Sequence, residues 1–151
     1  MKINASLIDK ITEDLIKHEG IIFSIYLDTE GLHTVGVGHL IKLGDEEFKK
    51  PVGTEVSKER VLELLKQDLA IAIRDVEDVF PAVNTYPDDV QRVLVNMMFN
   101  LGRPRFMKFQ NMIGAVRNGD WNKAADEMVD SKWYRQVKGR AKELEELMRN
   151  A

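Results

Sequence analysis

The sequence predicts an α+β fold: a small lobe of one helix and an antiparallel sheet, a long linking helix, and a lobe built only of helices. Three observations carry this. Apolar residues recur at three- and four-residue spacing over most of the chain. Alternation with period two is concentrated in residues 21–40, and from Pro87 onward every segment is helical in pattern. With 151 residues the chain can build one good core or two small lobes sharing a helix. The expected partition is one domain over residues 1–151. It has an N-terminal lobe at about 15–60, a linking helix at about 57–80, and a helical lobe over 81–151 packed with helix 5–19.

Ser6 or Asp9 is expected to cap the first helix, whose apolar positions Ile8, Ile11 and Leu15 follow the helical repeat. Continuing four residues from Leu15 reaches Glu19, so a carboxylate falls on the inward stripe, and Gly20 supplies a left-handed stop. Phe23, Ile25 and Leu27 then alternate with Ser24 and Tyr26. Asp28-Thr29-Glu30-Gly31 has Asp first and Gly fourth, a strong turn signal. Residues 32–40 alternate again as a returning strand, with Gly36 and Gly38 leaving one face bare for another backbone or a ligand. The sheet is expected to continue, more weakly, over residues 41–52.

Ser57 or Thr54 opens the long helix, with Glu59 in its first turn. Val61, Leu65, Leu69, Ala72, Val76 and Val79 form its stripe, widened by Leu62, Ile73 and Phe80, and Pro81 stops it. At about 1.5 Å per residue it is roughly 35 Å long, enough to tie two lobes together. Helical patterns follow over 88–101, 109–118, 120–130 and 137–149, punctuated by Gly102, Pro104, Gly119 and Gly139.

The formal net charge of -3 argues against whole-surface attraction to nucleic acid, though a basic face on one lobe remains open. Without cysteine there is no disulfide frame, no thiolate metal site and no cysteine nucleophile. The first twenty residues carry charges throughout and read as neither signal peptide nor membrane span. Monomer is the default expectation, since no heptad seam is visible.

Chemistry concentrates in residues 19–39. Burial on an apolar stripe and the negative end of its helix would both favour a protonated Glu19, suited to donating a proton to a leaving oxygen. The blander reading pairs Glu19 with an arginine such as Arg140. Asp28 alone is a turn former, yet its hairpin directly follows the Glu19 helix, so both carboxyls can face one cleft. Thr34, on the returning arm, can share a water with Asp28; alone it is an ordinary β-branched strand residue. Two carboxylates in unlike environments are what glycosidic cleavage requires. The histidines His18, His33 and His39 lack a metal-ligand spacing, and no metal or cofactor is expected. His39 is expected to anchor the hairpin through a buried acid, with Asp68 the candidate. Trp121, Trp133, Tyr134, Met97 and Met98 fit core packing, and Arg103, Arg105 and Lys108 form a local basic patch.

The ordered strings E-G, D-T-E-G and H-T-V-G-V-G-H resemble the phage T4-type lysozymes and endolysins of glycoside hydrolase family 24. Further matches are N-M-M-F-N-L-G from Asn96, Phe109, Trp121 with Ala124-Ala125, S-K-W-Y from Ser131, and Arg140-Ala-Lys142. The resemblance implies a lysozyme-like fold and hydrolysis of the β-1,4 bond between N-acetylmuramic acid and N-acetylglucosamine in peptidoglycan, with inversion. It implies that Glu19 is the general acid, Asp28 supports the attacking water and Thr34 holds it. Leu40 and Phe99 match cleft-lining positions. Asn100 stands where the family's type member has Gln, and Met112 and Glu127 where it has Ser and Asn. Arg140 and the His39–Asp68 pair are carried over as structural support. An endolysin of this kind accumulates in the host bacterial cytoplasm, acts on the cell wall without stable membrane anchoring, and needs a separate holin for release. A lytic transglycosylase, a wall-binding module and the lytic part of a phage tail are the alternative readings.

Overall fold

The computed structural model describes residues 2–151. It has the α+β architecture: seven α-helices and one small antiparallel sheet among the described residues. In order these are α1 (Ala5–Glu19), β1 (Ile22–Leu27), β2 (His33–Gly36), β3 (His39–Leu40) and α2 (Lys58–Val79). Then follow α3 (Asp88–Leu101), α4 (Arg103–Phe106), α5 (Gln110–Arg117), α6 (Trp121–Val129) and α7 (Lys132–Arg149). The chain divides into two compact units, one comprising the chain up to Ile11 with Ala72–Ala151, the other Thr12–Ile71. Both boundaries fall inside helices, α1 and α2.

Asn4, rather than Ser6 or Asp9, caps α1: its Oδ1 accepts from the Ser6 amide at 2.8 Å and the Ser6 hydroxyl at 2.6 Å. The inward stripe of α1 is Leu7, Ile11 and Leu15, all buried, whereas Ile8 is half-buried. Four residues beyond Leu15 the same stripe ends on Glu19, which is half-buried. The sheet has strand order β1-β2-β3, with Tyr26 opposite Thr34 and Thr34 opposite Leu40. The returning arm is not one strand through residue 40. It turns back on itself between Gly36 and His39, and the positive φ at Gly36 (69°) and Gly38 (67°) explains the glycines there.

The sheet does not continue over residues 41–52. Successive turns form instead, with Phe48 N–H donating to the Asp45 carbonyl at 3.1 Å and Lys50 N–H to that of Glu47 at 3.1 Å. Beyond them a Ser24–Glu55 bridge ties the chain back to β1, with Gly53 N–H donating to the Ile25 carbonyl at 2.7 Å and Val56 N–H to that of Phe23 at 2.9 Å. Asp45 and Glu47 hold this segment by ion pairs. Buried Glu47 takes Arg60 Nε at 2.9 Å and Nη2 at 3.1 Å. Its carboxyl is held below its ordinary value by that guanidinium, against the opposing effect of burial.

Ser57 caps α2, its Oγ accepting from Arg60 N–H at 3.1 Å. Val61 and Leu64 form with Val35 the core of the sheet-bearing unit, flanked by Ile21, Ile41 and Val56. Leu62 is 42% exposed and does not widen the stripe; Leu64, which the spacing passes over, takes that place. In the other unit, Phe80 meets Tyr86 and Phe106 edge-on at 6.2 and 6.1 Å, and Tyr86 meets Trp121 at 5.5 Å. The last helix starts earlier than the 137–149 pattern suggests, because Ser131 caps it by accepting from Tyr134 N–H. Its helical geometry breaks once, at Lys138 (φ 29°, ψ -99°).

Candidate active site

Glu19 ends α1, and Gly38 sits against it. A Cβ built on Gly38 would lie 3.2 Å from Glu19 Oε1. The bare glycine face is therefore filled by the protein itself: Val61 Cγ1 would be 2.9 Å from a Cβ at Gly36, and the Glu19 carboxylate occupies the space at Gly38.

Asp28 opens the turn between β1 and β2. Its Oδ1 accepts from the amides of Glu30 at 2.8 Å and Leu32 at 2.9 Å, while its backbone N–H donates to the Leu32 carbonyl at 2.9 Å. Both side-chain bonds fall on Oδ1, so Oδ2 takes no hydrogen bond from a described residue. Thr34 is buried on β2, and its hydroxyl donates to the Leu32 carbonyl at 2.8 Å. With its proton committed, Thr34 Oγ1 has only lone pairs left to offer.

Tyr26 is the residue that sequence reasoning passed over, as one member of an alternating strand. Cross-strand register places Tyr26, Thr34 and Leu40 in one row on the same face of the sheet. Asp28, two residues beyond Tyr26, follows the same alternation. Burial raises the Tyr26 phenol above its ordinary value, and the charges of Glu19 and then Asp28 push it further in the same direction. One phenol therefore lies within the field of both carboxylates. Leu40 presents an apolar side chain that is 50% exposed.

Behind this face His39 is buried and doubly held. Its Nδ1 is 2.6 Å from Asp68 Oδ2 on α2, and its Nε2 is 2.8 Å from Asp45 Oδ2, which also accepts from Lys42 N–H. Burial alone would lower the imidazole's pKa, but hydrogen bonds and charge from Asp68 and Asp45 outweigh it and raise it. Burial tends to raise the Asp45 carboxyl, yet His39 and the Lys42 amide bring it below its ordinary value. The spacing suggests Asp68; nothing in the sequence marks Asp45 as the second partner.

The remaining sequence candidates lie in the helical unit, where they are described by themselves. Phe99 and Asn100, near the end of α3, are half-buried, and Asn100 Oδ1 accepts from Trp133 Nε1 at 2.8 Å. Trp133 packs edge-on to Phe109 at 6.1 Å. Both aromatics, with Met112, Glu127, Arg105 and Lys108, line a cavity of about 430 Å³. Arg103 instead pairs with Asp75 and Asp78. Arg140 Nε donates to Asn96 Oδ1 at 2.9 Å, and Asn96 is fully buried. Among the described residues no three His, Asp or Glu side chains gather as a metal ligand set.

The family model described as Phage lysozyme matches residues 16–150. The chain is 36% identical over 152 residues to the pre-baseplate central spike protein Gp5 of Enterobacteria phage T4, covering 87% of this chain and 26% of that protein. It is 27% identical over 150 residues to probable T4-type lysozyme 1 of Dictyostelium discoideum, covering 85% and 88% respectively. With the endolysin of Salmonella phage P22 it shares 31% identity over 94 residues, 61% of this chain and 60% of the relative. The chain thus spans about a quarter of the spike protein and most of the Dictyostelium discoideum relative. It belongs to the phage lysozyme family and carries the T4-lysozyme-like glycoside hydrolase domain.

Proposed function

We propose that this peptidoglycan hydrolase of muramidase type cleaves the β-1,4 bond between N-acetylmuramic acid and N-acetylglucosamine, with inversion at the anomeric carbon. The observation that carries the reading is the pairing of unlike carboxylates: Glu19 half-buried against Gly38, and Asp28 with one oxygen committed to its own turn. Glu19 donates its proton to the glycosidic oxygen as the bond to the anomeric carbon breaks. A water gives one proton to Asp28 and points its other at Thr34 Oγ1, an acceptor because Leu32 already takes the hydroxyl proton. That orientation leaves a lone pair of the water aimed at the sugar, which favours direct displacement over a covalent intermediate.

The whole chain, in this reading, works as one lysozyme domain. Leu40 supplies an apolar floor for a sugar ring, and Phe99 and Asn100 make further substrate contacts. His39, Asp68 and Arg140 hold the surrounding backbone. The enzyme works as a monomer with neither metal nor cofactor. It accumulates in the host bacterial cytoplasm and reaches the wall through a separate holin; among the described residues no helix is long and apolar enough to cross a membrane. Similarity to a phage spike protein supports a second setting, in which the same chemistry serves a phage tail.

Turnover of purified peptidoglycan by the Glu19→Gln variant tests the assignment. Activity is expected to fall by at least about 100-fold with the thermal midpoint retained. Turnover equal to the wild type would remove Glu19 from the acid's role.

A further inference from the structure

We propose that the cationic face of α7 around Lys138 is a second binding site for peptidoglycan, taking the free carboxylates of its stem peptides. It rests on the reading of the chain as a peptidoglycan hydrolase and not on the role given to Glu19. Residues 132–142 hold five cations, Lys132, Arg135, Lys138, Arg140 and Lys142, and no acid, in a chain whose formal net charge is -3. Two of the five are already engaged: Arg140 Nε donates to Asn96, and Lys132 lines the cavity beside Phe109 and Trp133. Arg135, Lys138 and Lys142 are exposed, and among the described residues none of the three pairs with an acid. With Tyr134 and Gly139 they line a separate cavity of about 400 Å³, which shares no residue with the first.

This arrangement costs stability. Arg135 and Lys138, then Lys138 and Lys142, stand three and four residues apart, the spacings at which like charges disfavour a helix. Lys138 also breaks the helix at φ 29° and ψ -99°, a strained geometry for a residue that carries a Cβ. A merely solvated face needs neither the crowding nor the strain, whereas an anion bound there offsets the repulsion. The cavity wall is almost wholly carbon, from the Tyr134 ring and the aliphatic stems of the three cations, whose charged heads reach the rim. Such a site suits a short peptide with carboxylates and small apolar side chains better than a bare phosphate, which would leave that wall uncovered. Stem peptides are of this kind and recur along every glycan strand. A weak contact at one stem is therefore multiplied by the valency of the polymer.

The test compares wild type with two triple variants, Arg135→Gln/Lys138→Gln/Lys142→Gln and the charge-keeping Arg135→Lys/Lys138→Arg/Lys142→Arg. Retention on insoluble peptidoglycan is read by sedimentation after brief incubation on ice at low salt. The glutamine variant is expected to bind about 5- to 30-fold more weakly with its thermal midpoint retained, and the charge-keeping variant within about twofold of wild type. Added salt weakens the wild type towards the glutamine variant. Blocking the peptidoglycan carboxyls as amides, or stripping the stem peptides with an amidase, removes the difference. In turnover of intact peptidoglycan the glutamine variant shows a raised KM at unchanged kcat, and on stripped glycan it equals the wild type. Wild-type retention and turnover by the glutamine variant overturn the proposal and leave the hydrolase reading standing. A difference that survives amidation, or a charge-keeping variant as weak as the glutamine one, also overturns it. So does a glutamine variant that loses binding to phosphatidylglycerol vesicles but not to peptidoglycan, which assigns the face to a phosphate surface. A wild type that neither binds nor cuts peptidoglycan removes the hydrolase reading and the proposal together.

Discussion

Replacing Asp68 with asparagine removes one of the two charges held against the buried imidazole of His39 and leaves the other, Asp45, in place. The asparagine oxygen can still accept from Nδ1, so the loss is the difference between a charge-assisted and a neutral hydrogen bond, about 1–2 kcal/mol. For a chain of this size that corresponds to a fall of about 2–8 °C in thermal midpoint. The sign with pH is the more demanding part. His39 has its folded pKa raised, so its contribution is fully present below the unfolded value of about 6.5 and is lost as pH rises through the folded value. Asp45 has its folded pKa lowered, so its contribution is present above the ordinary carboxylate value and fades as pH falls through the folded one. Wild-type stability should therefore be greatest between about pH 4 and pH 6.5. The gap to Asp68→Asn should be widest there and close on the alkaline side. Circular dichroism melts of both proteins from about pH 4 to pH 10 read this directly. A gap that stays constant, or widens as pH rises, would refute the ion-pair account of the His39 lock.

Two further outcomes follow from the same geometry. Asp28→Asn keeps an Oδ1 acceptor for the Glu30 and Leu32 amides, so the turn and the melting point should survive while peptidoglycan turnover falls by about 100-fold or more; wild-type turnover would leave Asp28 a turn former only. Gly38→Ala places a methyl 3.2 Å from Glu19 Oε1 at a φ of +67°, costing about 1–2 kcal/mol in stability and displacing the carboxylate. Melting and turnover measured together should both fall, and an unchanged protein would mean the close approach is not needed.

Much of this molecule follows from local rules. The stripe through Ile11 and Leu15 reaches Glu19 by helical spacing alone, although Leu7 and not Ile8 begins it, and Asp28 with Gly31 writes its turn in four residues. The buried positions of α2 repeat at three and four because one face meets the core. What escaped local reading depends on partners far away in sequence. Asp45 and Glu47 look like part of a weakening strand, but one seeks His39 and the other Arg60, and those ion pairs hold the segment in turns. Leu62 and Leu64 are two residues apart on the same helix, and only packing against Val35 decides which is buried. Gly36 and Gly38 were legible as a bare face, but not as a turn receiving Val61 and a carboxylate. Tyr26 reads as one aromatic in an alternating strand, and only the register puts it opposite Thr34. Asn4 took the cap because its side chain reaches the Ser6 amide, a competition among neighbouring polar residues that spacing does not rank.

Digestion of purified peptidoglycan in ¹⁸O-labelled water, with mass spectrometry of the products, tests the central claim that Glu19 and an Asp28-bound water hydrolyse the glycan. The account expects muropeptides with reducing N-acetylmuramic acid ends carrying one labelled oxygen, absent when Glu19→Gln replaces the wild type. Unlabelled 1,6-anhydro ends, which need one acid and no water, would contradict it.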